Sequence, residues 1–129
     1  AWTVWQPLRA QDASQAALAA LADGDRGRAQ RLAARAAAIN PVALDPLFAQ
    51  ATIQRTGGNP EAGGRALLEA VRLQPENHDA WLRLAEYQLT VLGRPERAAE
   101  TVRTAIFLDP RSPQAVRLFF EARRAVAGG

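Results

Sequence analysis

Apolar positions along this chain recur at three- and four-residue spacing, and the runs are cut by glycine, proline and short polar clusters. Trp81, Leu84, Ala85, Gln88 and Leu89 share one helical face, with Asp79 placed to cap its start and Gly93 to end it. Pro95 then falls where the first turn of a helix tolerates a missing N–H. The next face carries Ala98, Val102, Ala105, Ile106 and Leu108, and stops at Asp109-Pro110 because the proline ring cannot continue a helix. Extended to the whole chain, the pattern predicts helices near 10–22, 26–39, 45–56, 60–73, 78–91, 95–108 and 112–126. Val, Ile, Thr and the aromatics are too scattered to drive strands.

The pattern also repeats. Pro41, Pro75 and Pro110 are spaced by 34 and 35 residues, and Gly24, Gly58 and Gly93 show the same two spacings. Gly58-Asn59-Pro60-Glu61 matches Gly93-Arg94-Pro95-Glu96, and the run Ala70 to Pro75 matches Ala105 to Pro110. The single extra residue of the second spacing falls near Val91, just before a turn, where an insertion costs little. Ala51 with Gly63, and Ala85 with Ala98, stand where paired helices would cross, and only small side chains permit close approach there. Phe120 occupies the place that Ala17, Ala51 and Ala85 hold in the earlier periods. A phenylalanine at that point blocks a following partner helix, so the last segment, started by Ser112, reads as a terminal cap.

Composition agrees with helix: 29 of the 129 residues are alanine, and 48% are hydrophobic, enough for a core. The sequence pI is about 10.9, yet the net charge is only +3, because all 16 bases are arginine and titrate only at very high pH. Residues 41–110 carry slightly more acid than base, and the basic excess sits at the two ends. A long basic face for tracking phosphates is absent, which argues against nucleic acid as a partner. The chain begins at Ala1 and contains no methionine, so it reads as a processed or excised piece of a longer protein. No apolar run reaches the roughly 18 residues needed to span a bilayer, and nothing resembles a signal peptide.

Candidate chemistry is sparse. Without cysteine there is no disulfide, thiolate site or cysteine nucleophile, and one histidine excludes a multi-histidine metal centre. His78 beside Asp79 and near Glu76 has the makings of a general base, but a loop histidine next to a capping aspartate is the more economical reading. Ser14 and Ser112 lack a nucleophile signature. The Gly57-Gly58 and Gly63-Gly64 pairs precede no Lys-Ser/Thr and follow no strand, so they suit a helix turn rather than a phosphate loop. The expectation is therefore no catalytic residue, no metal and no cofactor.

The period and its side chains resemble the tetratricopeptide repeat. Trp81, Leu84, Ala85, Ala98, Val102 and Pro110 follow that family's order, with Ala85 where glycine is frequent and Gln88 where tyrosine is frequent. The second repeat matches through Leu47, Ala51, Gly63, Leu67 and Pro75. The first is degenerate, carried by Ala13, Ala16, Ala17, Ala20, Ala29, Ala33, Ala36 and Pro41. The resemblance implies an all-α, right-handed α-solenoid of three helix pairs (10–41, 44–75 and 78–110) plus a capping helix and tail at 111–129.

It further implies a non-catalytic protein–protein interaction scaffold that takes a peptide or helix in its concave groove. Carried over by register, the lining residues are Asp45, Phe48, Thr52, Arg55, Asp79, Leu82, Glu86, Leu89, Arg117 and Glu121. They are flanked by Gln11, Ser14, Leu18, Leu21, Thr56, Thr90, Gln114 and Arg124. Phe48, Leu82 and Leu89 would be its apolar anchors. The lysine-rich clamp that some family members use for chaperone C-termini is missing: Ser14, Leu18 and Asp79 stand at matching places.

Residues 1–9 hold two of the three tryptophans, Trp2 and Trp5. They suit either a lid packed on the first repeat or a membrane–water interface, and Arg9 with the basic last segment would tolerate anionic headgroups. Trp2, Trp5, Gln6, Pro7 and Leu8, leading into a degenerate repeat, resemble the tails of bacterial O-antigen ligase- or polymerase-like membrane proteins. That resemblance implies an accessory soluble domain on a membrane-anchored glycan-assembly enzyme. Self-association is a further expectation, because solenoid ends expose apolar faces.

Overall fold

The computed structural model describes residues 10–129, with the side chains described from Asp12 onward. Trp2 and Trp5, and the readings that rest on residues 1–9, lie outside the described residues. Among the described residues seven α-helices follow one another: α1 Ala10–Ala22, α2 Arg26–Ile39, α3 Asp45–Thr56, α4 Pro60–Leu73, α5 His78–Thr90, α6 Pro95–Leu108 and α7 Pro113–Gly128. No strand occurs among the described residues. The helices pack as three antiparallel pairs, α1/α2, α3/α4 and α5/α6, with α7 laid against the last pair.

The repeated glycines mark the same turn three times. Gly24, Gly58 and Gly93 have φ of +82°, +83° and +63°, a left-handed conformation that glycine adopts without a Cβ penalty. Nothing lies within 4 Å of a Cβ built on any of them, so the conformation, and not space, demands glycine. Each turn is closed by the following amide: Asp25 N–H bonds to the Ala20 carbonyl at 2.9 Å and Asn59 N–H to the Gln54 carbonyl at 2.8 Å. In the third turn Arg94 N–H reaches one residue further back, to the Gln88 carbonyl at 2.8 Å. That longer loop absorbs the extra residue that lengthens the second spacing from 34 to 35.

Capping varies more than the pattern suggested. Asp25 and Asn59 accept from the N–H groups of Arg28 and Ala62, but Arg94, at the equivalent place, offers no side-chain cap. It forms an ion pair with Glu61 of the preceding repeat instead. The cap of α5 is Asn77, which accepts from the N–H groups of Asp79 and Ala80; Asp79, expected as the cap, lies in the first turn. Asparagine one residue outside the apolar pattern has the same acceptor oxygen, and its geometry reaches both amides.

Small residues set the packing. Ala13, Ala17, Ala20, Ala29, Ala33 and Ala36 form the buried seam of the first pair. Ile53 inserts its buried side chain into that seam and ties the second repeat to the first. A Cβ on Gly63 would come within 2.9 Å of the Ala51 carbonyl and would also collide with the Tyr87 hydroxyl. Ala51 and Gly63 therefore meet at a helix crossing, as the spacing implies. Gln88 is buried and accepts from the Thr101 hydroxyl at 2.6 Å, which satisfies an amide where the family often places a phenol.

The turns are stitched along one edge. Gln74 donates to the Val42 carbonyl at 2.9 Å and accepts from the Asn77 side chain at 2.9 Å. Trp81 Nε1 donates to the Pro75 carbonyl at 2.8 Å. On α7, Ala115, Leu118 and Ala122 are buried against the third pair. Phe120 faces outward at 57% exposure with its ring against Phe119, so α7 covers the third repeat while leaving this phenylalanine exposed.

Candidate functional site

The first helix of each pair lies on the inner side of the array. α1 packs directly on α3 and α5 on α7, whereas α2, α4 and α6 make no direct contact with one another. Side chains at 48, 52 and 55 on α3, at 79, 83, 86 and 90 on α5, and at 114, 117 and 121 on α7 form stripes at helical spacing on that side. α3 and α5 do not touch along their backbones, which leaves a depression of about 210 Å³ between them. Its walls include Phe48, Thr52, Arg55, Glu86 and Thr90, and Ala51 and Leu67 lie at its base. A second depression, about 450 Å³, adjoins it between α5 and α7, lined by Asp79, Leu82, Glu86, Gln114, Arg117 and Glu121 among others. Arg83, Glu86 and Thr90 belong to both, so the two form one continuous groove.

Eight of the ten residues assigned by register line this groove: Phe48, Thr52, Arg55, Asp79, Leu82, Glu86, Arg117 and Glu121. Two do not. Leu89 turns inward and packs among Val102, Ala105, Ala98 and Ala99, because one further helical residue rotates it off the groove stripe. Asp45 is exposed in the first turn of α3 and lines neither depression. Among the flanking residues, Thr90 and Gln114 line the groove, whereas Thr56 and Arg124 are exposed outside it. Ser14 is buried and Leu21 packs into the alanine seam. Leu18 is exposed on α1 and lines neither of the two depressions. The side chain of Gln11 lies outside the described ones.

Two residues that register did not single out shape the site. The Arg83 guanidinium lies over the Phe48 ring, 4.3 Å from its centroid, and its Nε donates to Asp79 at 2.9 Å. The i, i+4 spacing of Asp79 and Arg83 was the available signal for this pair. Phe48 is thus roofed by a cation, and Leu82 is recessed at 8% exposure, so the groove offers more charge and less open apolar surface than three apolar anchors implied. Tyr87 forms the wall toward α4, and its hydroxyl donates to the Pro60 carbonyl at 2.6 Å. Burial raises its pKa above the ordinary phenol value, with nearby Arg55 opposing and Glu61 reinforcing that shift.

His78 lies elsewhere: its Nδ1 donates to the Ala105 carbonyl at 2.7 Å and latches the start of α5 to the end of α6. The histidine is therefore the first residue of α5 and not a loop residue beside a capping aspartate, since Asn77 is the cap. Among the described residues no three His, Asp or Glu side chains group as metal ligands, and no helix is long and apolar enough to cross a membrane.

A family model described as tetratricopeptide repeat matches residues 48–115, more than half of the chain. The chain belongs to the tetratricopeptide repeat family. No curated relative matches it. Among solved structures, the tetratricopeptide domain of Sgt2 from Aspergillus fumigatus superposes with a TM-score of 0.73 at 20% identity, covering 92% of this chain and 79% of that one. The first tetratricopeptide domain of Spaghetti (RPAP3), bound to the HSP90 peptide SRMEEVD, gives 0.72 at 15% identity, with 92% and 94% covered. The second domain of human RPAP3, in complex with the HSP70 peptide SGPTIEEVD, gives 0.67 at 19% identity, with 86% and 92% covered. At these identities the likeness establishes the fold: tetratricopeptide helix pairs stacked into an α-solenoid with an added terminal helix.

Proposed function

We propose that this chain is a protein-interaction scaffold that holds a peptide or helix along the groove formed by α3, α5 and α7. The observation that carries this reading is the pair of adjoining depressions, open to solvent and lined at helical spacing by mixed apolar, hydroxyl and charged side chains. Such a surface offers hydrogen bonds and ion pairs to an extended or helical segment without requiring a deep pocket. The role is binding rather than catalysis. Two of the structural neighbours are tetratricopeptide domains bound to HSP90 or HSP70 peptides, which supports a peptide as the ligand class. The acidic character of those peptides does not transfer, because Ser14 is buried and Leu18 is apolar at the places where a basic clamp would be needed. Selection of a displayed random-peptide library on the full chain tests the proposal. The expected result is enrichment of binders that are lost on Thr90→Trp, which obstructs both depressions at once. Enriched peptides that bind this variant unchanged would remove the groove from the account.

A further inference from the structure

The groove is electrostatically ordered, and the order specifies a ligand. Asp79 and Arg83 satisfy each other at 2.9 Å, which removes them from the count of available charges. In the α3–α5 depression the remaining charges are Arg55 and, at the side shared with the next depression, Glu86; Arg55 is exposed and makes no ion pair with the described residues. In the α5–α7 depression the remaining charges are Glu86, Glu121 and Arg117, a net charge of −1. Glu86 and Glu121 are 35 residues apart, one repeat length, and therefore stand at the same level on neighbouring first helices. Both are exposed, both line the depression, and neither is ion-paired among the described residues. A cation bound in this depression is attracted by both carboxylates. Arg117, one turn away, leaves room for one such cation rather than two.

We infer that the groove selects a peptide of opposed charge, with an acidic residue on Arg55 and a basic residue between Glu86 and Glu121. This inference rests on the groove being the binding site. The occupant is an extended segment, because the two charge positions lie across successive helices rather than along one. Arg55 lines only the α3–α5 depression and Glu121 only the α5–α7 depression, with Glu86 shared between them. The acidic and basic residues are therefore set apart along the extended peptide and do not adjoin. The residues between them pass over Thr90 and the Arg83-covered Phe48 ring, where small or flat side chains fit.

The test uses peptides selected from the displayed library on the unmodified chain, with affinities measured for wild type, Arg55→Glu and Glu121→Arg. Both substituted residues are exposed and outside the core, so the folded chain is retained and circular dichroism verifies it. The expected result is a consensus in which an acidic and a basic residue recur at one fixed, non-adjacent spacing. Each reversal weakens the parent peptide about tenfold, and reversing the acidic residue of the peptide to lysine restores binding to Arg55→Glu. Peptides that bind in the groove with no charge order, or whose affinity changes less than about twofold on both reversals, overturn this inference alone. No enrichment, or binding that survives Thr90→Trp, overturns the groove together with it.

Discussion

Gly63→Ala isolates the reason a glycine sits in the middle of α4. In an exposed helix the change would be favourable by about 1 kcal/mol, because alanine loses less backbone freedom on folding. Here the added methyl would lie 2.9 Å from the Ala51 carbonyl and would strike the Tyr87 hydroxyl. The carbonyl belongs to the backbone of α3 and moves only if the helix pair separates. The hydroxyl moves only by giving up its bond to Pro60, worth about 1 kcal/mol net. Overpacking of this kind costs about 1–3 kcal/mol, so the balance is a net loss of about 1–3 kcal/mol. For a domain of this size that corresponds to a fall in Tm of roughly 4–12 °C. Gly27→Ala is the control: a Cβ there first meets the mobile end of Arg31 at 3.4 Å, so stability stays equal or rises by up to about 1 kcal/mol. Adding Tyr87→Phe to Gly63→Ala removes the hydroxyl collision but not the carbonyl one, and recovers part of the loss. Thermal and urea unfolding of the four proteins decide the matter. Gly63→Ala as stable as wild type would refute the close crossing of α3 and α4.

Ser112→Ala removes the hydroxyl that accepts from Ala115 N–H at 3.2 Å at the start of α7; unfolding in urea should show a loss of about 1 kcal/mol, and no loss would deny the cap its role. Gly93→Ala forces a left-handed φ of +63° on an alanine and should cost about 1 kcal/mol in the same assay, although the site is sterically empty. Tyr87 is the only tyrosine, so tyrosinate absorbance reports it alone. Its raised folded-state pKa means that the associated stability is fully present below about pH 10, the ordinary phenol value, and is lost as pH rises through the folded value. The expected titration midpoint is higher in the native chain than in urea, and Tyr87→Phe should flatten the corresponding alkaline fall in stability; equal midpoints would contradict the burial.

Most of the fold is legible in the sequence because its determinants are local. Helix ends are written in glycines that need positive φ, in prolines and in short polar caps, and the helices near 10–22, 26–39, 45–56, 60–73 and 95–108 match what those signals imply. Where several adjacent residues can do one job, local reading is ambiguous: Asn77 and Asp79 both offer an acceptor oxygen, and only the turn geometry selects Asn77. The groove is legible in part because repeat register transfers from helix to helix. Phe48 and Leu82 are one repeat apart and both reach it. Leu89 fails because its apolar side chain gains more by joining Val102 and Ala105 than by facing water. Arg83 over Phe48, and the gap between α3 and α5, depend on how two repeats meet, and no pattern within one repeat encodes that.

Under the proposed function, ligand binding takes place on the inner helices. Amide NMR spectra of the isotope-labelled full chain, titrated with a library-selected peptide, test it most directly. Shift changes are expected to concentrate at Phe48, Thr52, Arg55, Arg83, Glu86, Thr90, Arg117 and Glu121. Changes concentrated on α2, α4 and α6, or around the outward Phe120 of α7, would contradict it.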